Sequence, residues 1–392
     1  MSFELTFLGS SGGPLEGSTC SILVKPSHIP YKTIIADQSL TDELICIDAG
    51  CGIGQLADII HHETATQKPQ CKLLDYYPDS HPISDYYHKK VTVTTPFSKL
   101  AQRRAMFYSQ TIFNLVSTYL ITHPHLDHVA SLVINSAGFC NSPTKQVYGS
   151  SHTIDALQRH LFNGVIWPNM PSFEILNLIP VQFTQPTLIN NSVYTITMFK
   201  LSHGELNKLD DHRRRSVIAI PTNGAAAHKQ HYSSSAYLVK HNITGASLLV
   251  FGDFESDIIS KLNRNQALWK AVAPFIISKK LKGIVVECSN SSNVPEDELY
   301  GHLTPSHLVY ELNQLRKLCI ELDPDNDEPL RGLNIVVNHI KDPIVNFECG
   351  EKQAERLKDP RYQVLSELNK LNEVERLHCR FSIALSGVSL II

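Results

Sequence analysis

The sequence predicts an α/β protein in which strands and helices pack as layers. Short apolar and β-branched runs bounded by turn residues recur along the whole 392-residue chain, and segments with helical periodicity lie between them. The composition, 42% hydrophobic and 19% charged, is that of a globular protein with a large core. Mixing of strands and helices along the chain indicates α/β layers rather than separate all-α and all-β domains.

The first strands are separated by a glycine-rich turn. Residues 3–24 are predicted to form two strands joined by the segment 9–14. This segment lacks the Lys-Ser/Thr ending of a phosphate-binding P-loop, so we expect a tight turn near a cleft. Residues 44–49 form a further predicted strand that contains Asp48, and a short helix is predicted over 53–62.

The middle of the chain begins with a segment that has no clear periodicity. Residues 63–95 are polar and are predicted to be a long loop or peripheral insertion, followed by a helix at 96–115. The run 116–122 predicts a buried strand, and 129–137 the helix after it. Further strands are predicted at 193–201, 216–221, 235–240, 247–252, 283–287 and 333–338. Further helices are predicted at 256–280, 305–320 and 361–377, and a last alternating strand at 381–392.

A dense group of candidate metal ligands follows the strand predicted at 116–122. The segment 123–128 reads His-Pro-His-Leu-Asp-His. Its candidate ligands are His123, His125, Asp127 and His128. Nitrogen and oxygen ligands of this kind suit Zn²⁺ and similar cations. A polar loop after a strand is the alternative interpretation, but it does not account for so many imidazoles in so short a segment.

Three further predicted strands end in a residue that can bind a metal. His203, Asp253 and His339 each follow one of the apolar runs. In layered α/β proteins, strand ends at one edge of the sheets line the functional cleft. We therefore expect these three side chains to converge with the 123–128 group, although each alone is compatible with an ordinary buried histidine or turn aspartate.

The order of these residues resembles that of the metallo-β-lactamase superfamily. The run 123–137 is similar to the signature of class II cyclic-nucleotide phosphodiesterases, and the whole chain resembles the fungal low-affinity members of that family. The opening segment 3–14 and the segment 46–50 fit the family as well. The resemblance spans residue 3 to about residue 340.

The resemblance implies a four-layer αββα sandwich formed by a single domain over residues 1–392. It is weakest over 63–110 and 205–235, where we expect insertions.

The resemblance also implies a pair of divalent cations, Zn²⁺ in the first place, with Mn²⁺ or Fe as alternatives. One cation would take His123, His125 and His203. The second would take Asp127, His128 and His339, and Asp253 would bridge the two. A bridging carboxylate can hold two cations roughly 3.5–4 Å apart. A hydroxide between them is a nucleophile near neutral pH, because Zn²⁺ lowers the pKa of its bound water to about 7.

Residues around the predicted cations receive roles from the same resemblance. Asp48 would orient a ligand or the nucleophile rather than bind metal. His302 would be the general acid for the leaving oxygen, oriented by Glu287 or Asp127. The alternative for His302 is a helix-capping role before Pro305. Catalytic roles are therefore predicted for Asp127, Asp253, His302 and Glu287.

The implied activity is hydrolysis of 3′,5′-cyclic nucleotides, with cAMP favoured, to 5′-monophosphates. The formal charge of −3 argues against the broad basic surface that proteins use to hold long nucleic acid, so no nucleic-acid partner is expected. The alternatives are an RNA-processing endonuclease of the same superfamily and a non-catalytic scaffold that keeps the fold.

The remaining expectations concern location and assembly. No run of about 18 apolar residues is present, so no membrane span is predicted, and the opening residues do not resemble a signal peptide. The nine cysteines contain no Cys-x-x-Cys pair, which favours free thiols in a reducing, cytoplasmic compartment. A homodimer is implied only by the resemblance.

Overall fold

The computed structural model describes residues 2–101, 104–140, 142–205, 231–343 and 358–392. The strand predicted at 216–221 lies outside the described residues, as does most of the predicted insertion at 205–235.

Within the described residues, fifteen strands form two β-sheets, one of eight strands and one of seven. The first contains β1 (Phe3–Gly9), β2 (Ser21–Pro26), β3 (Ile45–Ile47), β4 (Thr92–Thr94), β5 (Thr118–Leu120), β6 (Lys145–Gly149), β7 (Leu176–Pro180) and β15 (Ser389–Ile391). Their spatial order is β4-β15-β1-β2-β3-β5-β6-β7.

The second sheet is built from the later part of the chain. It contains β8 (Thr187–Ile189), β9 (Tyr194–Glu205), β10 (His231–His241), β11 (Ser247–Phe251), β12 (Leu281–Glu287), β13 (Asn334–Asn338) and β14 (Arg380–Ile383). Their spatial order is β14-β13-β12-β11-β10-β9-β8, with β11 to β14 parallel.

The helices fall into two groups along the chain. The first comprises α1 (Tyr31–Ala36), α2 (Ile53–Thr66), α3 (Ala105–Leu115), α4 (Leu126–Asn135) and α5 (Ser151–Ala156). The second comprises α6 (Asp257–Ser260), α7 (Arg264–Ile277), α8 (Pro305–Leu322) and α9 (Pro360–Val374). Shorter 3₁₀ or π turns occur at Glu16–Ser18, Gln38–Glu43, Lys72–Tyr76, Ile83–Tyr86, Ser136–Gly138, Leu157–Leu161, Met170–Phe173 and Glu296–Glu298.

Alternation along the strands creates the layers. In β2, Ile22 and Val24 belong to the apolar cluster shared with the second sheet, whereas Leu23 belongs to the cluster formed with the first group of helices. On the other side of the molecule, α7, α8 and α9 contribute buried side chains to the cluster of the second sheet. The two sheets therefore lie between two helical layers, as the resemblance implied.

Strand direction brings the predicted site residues to one edge. Because β9 and β11 are both antiparallel to β10, and β11, β12 and β13 are parallel, four strands of the second sheet end on the same side. In the first sheet β3 and β5 are parallel, so Asp48 and the segment 123–128 also follow strand ends that share one edge.

Two predicted helices were partly wrong. The helix predicted at 96–115 begins only at Ala105, because Phe97 is buried and its backbone N–H bonds the side chain of Glu63 instead of a helical carbonyl. The helix predicted at 256–280 is two helices, α6 and α7, because Lys261 and Asn263 have left-handed backbone conformations that interrupt it.

Strand predictions failed where strands are short. The strand predicted at 381–392 is two strands that join different sheets, separated by a turn in which Gly387 has φ +91°. Four strands, β4, β6, β7 and β8, were not predicted at all. They have three to five residues each, and their pairing partners determine them more than their own patterns do.

None of the described helices has both the length and the apolar composition that crossing a membrane would demand.

Candidate metal centre

Seven predicted ligands converge in two overlapping groups between the sheet edges. One potential ligand atom from each residue of the first group lies within 4.8 Å of the others, and the same holds for the second group. The first group contains His123, His125, His203 and Asp253. The second contains Asp127, His128, Asp253 and His339. Asp253 is the member that both groups share.

The carboxylate of Asp253 lies between the two groups. Its Oδ2 is 3.7 Å from Nε2 of His123 and 3.6 Å from Nε2 of His203 in the first group. The same oxygen is 3.0 Å from Nε2 of His339, and Oδ1 is 3.3 Å from Nε2 of His128, in the second group. This is the position that a bridging carboxylate requires.

Local structure explains how one short segment supplies four of these side chains. His125 is the N-cap of α4, so Asp127 lies in the first turn, where the helix dipole favours a carboxylate. His128, one residue further along, is buried, while the side chain of Asp127 remains 25% exposed. A strand end and a helix start therefore place neighbouring residues in both candidate groups.

Backbone strain is concentrated at this centre. His339 has φ +59° and Asp48 has φ +53°, although neither is a glycine. A Cβ atom at Gly12 would lie 2.5 Å from both Nδ1 and Cε1 of His339, so only a glycine allows the 9–14 turn to approach that ring. The turn thus lies against the cleft, where it encloses one edge of a candidate ligand.

Asp48 holds the ring of His128. Its Oδ2 lies 2.8 Å from Nδ1 of His128, and its Oδ1 accepts the backbone N–H of Thr122 at 2.8 Å. Because an ionised carboxylate only accepts, Nδ1 of His128 must donate, which leaves Nε2 directed at Asp253. This is the geometry that the predicted orienting role of Asp48 requires.

His203 is oriented by the backbone of the second sheet's loops. Its Nδ1 donates to the carbonyl oxygen of Gly301 at 3.0 Å, so its Nε2 is again the nitrogen that faces the centre. Gly301 has φ +82°, and a Cβ atom there would lie 2.4 Å from the carbonyl carbon of His203. The loop before α8 can therefore pack against β9 only because residue 301 is glycine.

Glu287 and His302 form the pair that the resemblance implied. Oε1 of Glu287 lies 3.1 Å from Nδ1 of His302, and both side chains are buried. The same carboxylate accepts the backbone N–H of Phe254, next to Asp253, at 3.2 Å. His302 lines the cleft together with Asp127, but the carboxylate that contacts its Nδ1 is that of Glu287. Of the two orienting residues considered, Glu287 has the required geometry.

Sequence reasoning missed Ser289, Tyr232 and Tyr300. The Ser289 hydroxyl lies 2.7 Å from Oε2 of Glu287 and 2.9 Å from Nδ1 of His339. The two tyrosines, 40% and 51% exposed, line the cleft above the candidate ligands. Ser289, two residues after Glu287, has no sequence signal that indicates a role. Tyr300 could have been predicted, because it is an aromatic residue next to Gly301 and His302.

In the metal-free centre, burial and the neighbouring charged groups shift the pKa values of several candidate ligands. Burial opposes charging of His339, but the carboxylates of Asp253 and Asp127 raise its pKa to about 9. Burial, together with the neighbouring His302, lowers the pKa of His203 to about 3. Burial alone would raise the pKa of Asp253, yet the imidazoles of His339, His128 and His123 hold it well below its usual range. The carboxylates are thus anionic, whereas His339 carries a proton that a cation would have to displace, because a metal ligand must be a neutral imidazole or an anionic carboxylate.

Unpaired buried atoms test whether these residues fit a cation. Among the described residues, Nε2 of His123 is buried without a hydrogen-bond partner, and Nε2 of His128 and Oδ1 of Asp253, although 3.3 Å apart, make no hydrogen bond of acceptable geometry. Such atoms are costly in a protein interior. All three belong to the two groups and point at the centre, so divalent cations fit the donor set.

An open cleft of about 280 Å³ lies over the candidate ligands. Its walls include Gly12, Tyr232, Tyr300, His302 and Lys341. The ring of Tyr232 stands edge-on to His125, with centroids 5.2 Å apart. The cleft therefore combines a metal-competent floor with exposed aromatic rings and one lysine.

Comparisons with known proteins identify the family and the fold of the chain. The 3′,5′-cyclic-nucleotide phosphodiesterase of Candida albicans is 49% identical over 433 residues, covering 100% of both chains. The crystal structure of unliganded yeast PDE1 superposes with a TM-score of 0.79 at 29% identity, covering 100% of this chain and 99% of that one. The metallo-β-lactamase fold protein YhfI from Bacillus subtilis superposes with a TM-score of 0.51 at 12% identity, covering 100% of both chains, which confirms the predicted fold.

A sequence model of the class-II cAMP phosphodiesterases matches residues 35–387, which is most of the chain. The chain therefore belongs to the class-II cAMP phosphodiesterase family.

Proposed function

We propose that this chain hydrolyses 3′,5′-cyclic nucleotides to nucleoside 5′-monophosphates at a centre with two divalent cations. The observation that carries the proposal is the position of the Asp253 carboxylate, within 3.7 Å of imidazole nitrogens from both candidate groups. Membership of the class-II cAMP phosphodiesterase family supports the choice of substrate class.

Each group of side chains would hold one cation. The first would be held by His123, His125 and His203, and the second by Asp127, His128 and His339, with Asp253 shared. When bound, such cations polarise phosphate oxygens and lower the pKa of the attacking water. We propose Zn²⁺ because imidazole and carboxylate donors suit it, with Mn²⁺ and Fe as the alternatives.

His302 would supply the proton for the leaving group. Water attacks phosphorus and releases a proton to solvent, the bond from phosphorus to the 3′ oxygen breaks, and that oxygen takes a proton from Nε2 of His302, which solvent then reprotonates. Glu287 accepts the Nδ1–H of the same ring at 3.1 Å, so it holds the ring in place. In this proposal Glu287 is a positioning residue, whereas Asp127 and Asp253 hold the geometry of the nucleophile.

The walls of the cleft would bind the rest of the substrate. Tyr232 and Tyr300 expose aromatic rings on which a nucleobase can stack, and such stacking is tolerant of base identity. Lys341 supplies a positive charge in the same cleft, suited to an anionic phosphate. This arrangement favours cyclic nucleotides with either purine; cAMP preference stays a prediction.

Parallel assays test the proposal. The purified chain should contain two divalent cations and should hydrolyse cAMP and cGMP much faster than a linear phosphodiester of RNA. Faster cleavage of RNA, with steep salt dependence, would favour the RNA-processing alternative. A chain without bound cations or turnover would favour the scaffold alternative.

Cytoplasmic location and a homodimer are further predictions of this proposal. The cysteines of the described residues are all free thiols, which suits a reducing compartment. Fractionation of cells and light scattering of the purified chain test the two predictions.

A further inference from the structure

Ser289 connects the candidate proton donor to a candidate metal ligand. Its hydroxyl lies 2.7 Å from Oε2 of Glu287, 2.9 Å from Nδ1 of His339 and 3.2 Å from Nδ1 of His302. All four side chains are at least nine-tenths buried, so water does not readily replace these contacts. We propose that Ser289 is a positioning residue that fixes the tautomer of His339 for the second cation, an inference that rests on the two-cation centre proposed above.

The direction of each hydrogen bond follows from the chemistry of the groups. A serine hydroxyl has one hydrogen, and an ionised carboxylate can only accept. The hydroxyl of Ser289 therefore donates to Glu287, whose Oε2 also accepts the backbone N–H of Ser289 at 3.0 Å. The lone pairs of Ser289 are left to accept the Nδ1–H of His339.

This direction determines which nitrogen of His339 faces the centre. With Ser289 accepting the hydrogen of Nδ1, Nε2 is the nitrogen that faces the centre, 3.1 Å from Oδ2 of Asp127 and 3.0 Å from Oδ2 of Asp253. Without a cation Nε2–H donates to these carboxylates, and loss of that proton would free its lone pair for the second cation. Gly12 encloses the Nδ1 edge of the ring, as described above. Ser289 is therefore the side chain that accepts from Nδ1, and the second cation depends on it.

The first cation does not share this dependence. His203 donates its Nδ1–H to Gly301, and Nδ1 of His123 lies 3.1 Å from the hydroxyl of Thr122. His302 keeps the carboxylate of Glu287 as a partner when the Ser289 hydroxyl is removed. Loss of the hydroxyl should thus weaken one cation selectively.

Metal titration of three variants tests this inference. Apoprotein is titrated with Zn²⁺ against a chromophoric chelator for wild type, Ser289→Ala, Ser289→Thr and a control, Ser235→Ala. Ser235 is a buried serine on β10 whose hydroxyl has no hydrogen-bond partner among the described residues. We expect two tight sites in wild type, in Ser289→Thr and in the control. Ser289→Ala should keep one tight site and bind the second ion 10–100-fold more weakly.

Activity distinguishes positioning of the metal ligand from positioning of the acid. Added Zn²⁺ should restore turnover of Ser289→Ala towards the wild-type value but should not restore His302→Ala. Two tight sites in Ser289→Ala, or a loss of turnover that Zn²⁺ does not reverse, would overturn the inference. Fewer than two ions in wild type would instead contradict the proposed function.

A measurement on the wild type keeps the inference testable if Ser289→Ala does not fold. The ¹⁵N NMR shifts of Zn²⁺-loaded protein should show His339 protonated at Nδ1 and metal-bound at Nε2. Metal bound at Nδ1, or a hydrogen on Nε2, would overturn it.

Discussion

Asp253 is the residue on which the proposed centre depends most directly. Its buried carboxylate lies within 3.7 Å of nitrogens from four imidazoles, and its pKa is held below the usual range by them. A neutral side chain at this position would lose the donor that both candidate groups share. Each candidate group would then have only its three other ligands for a cation, and no side chain would link the two cations.

We predict that Asp253→Ala lowers turnover of cAMP by at least about a hundredfold, because transition-state charge would lose its stabilisation. His125→Ala should act in the same direction through the first cation. Near-normal turnover in either purified, folded variant would contradict the proposed centre. Asp75→Asn, an exposed aspartate, is the control and should keep wild-type rates.

His302 should matter in proportion to the basicity of the leaving group. We predict that His302→Ala slows cAMP hydrolysis by about 10²–10⁴-fold, the range of general acid catalysis, but slows a nitrophenyl phosphodiester far less. Nitrophenolate leaves without a proton, whereas the 3′ alkoxide does not. Equal losses on both substrates would remove the acid assignment. The exposed His152→Ala provides the control.

Tyr300 is predicted to act on binding rather than on chemistry. Stacking of a base on an aromatic ring contributes about 1–3 kcal/mol, so Tyr300→Ala should raise KM for cAMP and cGMP by roughly tenfold each. Its kcat for a nitrophenyl phosphodiester should not change. An unchanged KM for both nucleotides would show that the base binds elsewhere. Tyr76→Ala, 68% exposed and outside the cleft, is the control.

At the scale of elements, α2 is joined to the segment before α3 by one buried carboxylate. Glu63, 1% exposed, accepts the backbone N–H of Phe97 at 2.8 Å through Oε2. Burial raises its pKa from 4.5 to about 8. The folded chain therefore binds this proton over a pH range in which the unfolded chain has lost it.

This linkage predicts how stability depends on pH. Since the folded state holds the extra proton between pH 4.5 and about 8, the contribution of Glu63 to stability is complete below pH 4.5 and falls as the pH rises through that window. Glu63→Gln cannot ionise and lacks this loss. We expect the thermal midpoint of Glu63→Gln to rise relative to wild type between pH 5 and pH 9. A pH-independent difference between the two would contradict the assignment.

Long elements were predictable because they carry their own pattern. The eighteen-residue α8 and the apolar strands β11, β12 and β13 are visible in the sequence because each buries a continuous stripe or run. The short β6 and β7 owe their conformation to pairing with β5 and with each other, which no local window contains. The turn between β14 and β15, which belong to different sheets, is likewise determined by tertiary packing and not by the local sequence.

The residues of the candidate site also fall into two classes, those that the sequence predicts and those that only the fold reveals. His123, His125, Asp127 and His128 were detectable because imidazoles and carboxylates crowd one segment, and His203, Asp253 and His339 because each follows an apolar run. Ser289 and Tyr232 become relevant only when separate strands meet, so their sequence neighbourhood gives no indication of a role. The residues with the strongest intrinsic chemistry are thus predictable, whereas those that orient them need the fold.

At the scale of the whole molecule, the candidate ligands join two sheets. His123 and His128 follow a strand of the first sheet, whereas His203, Asp253 and His339 lie on or after strands of the second. Cations held between them would link the sheets at one edge. An apoprotein would retain the apolar cluster between the sheets but would leave buried donors unpaired.

We therefore predict that removal of metal destabilises the chain without unfolding it. A ligand at a hundred times its Kd adds about 2.7 kcal/mol to the stability of the folded state. Calorimetry should give a lower thermal midpoint after treatment with a chelator, and added Zn²⁺ should reverse the change. Identical midpoints with and without metal would contradict binding between the sheets. In Asp253→Ala, which lacks the donor that both groups share, the chelator should lower the midpoint less than in wild type, and this provides the internal comparison.

The central claim, that cyclic nucleotides are hydrolysed by a pair of cations held by these side chains, is tested most directly by measuring metal content and cAMP turnover on the same samples. Apoprotein is titrated with Zn²⁺, and bound metal and rate are determined at each step. Turnover is predicted to be negligible in apoprotein and to saturate at two ions per chain. Full turnover in protein shown to contain no metal would contradict the account.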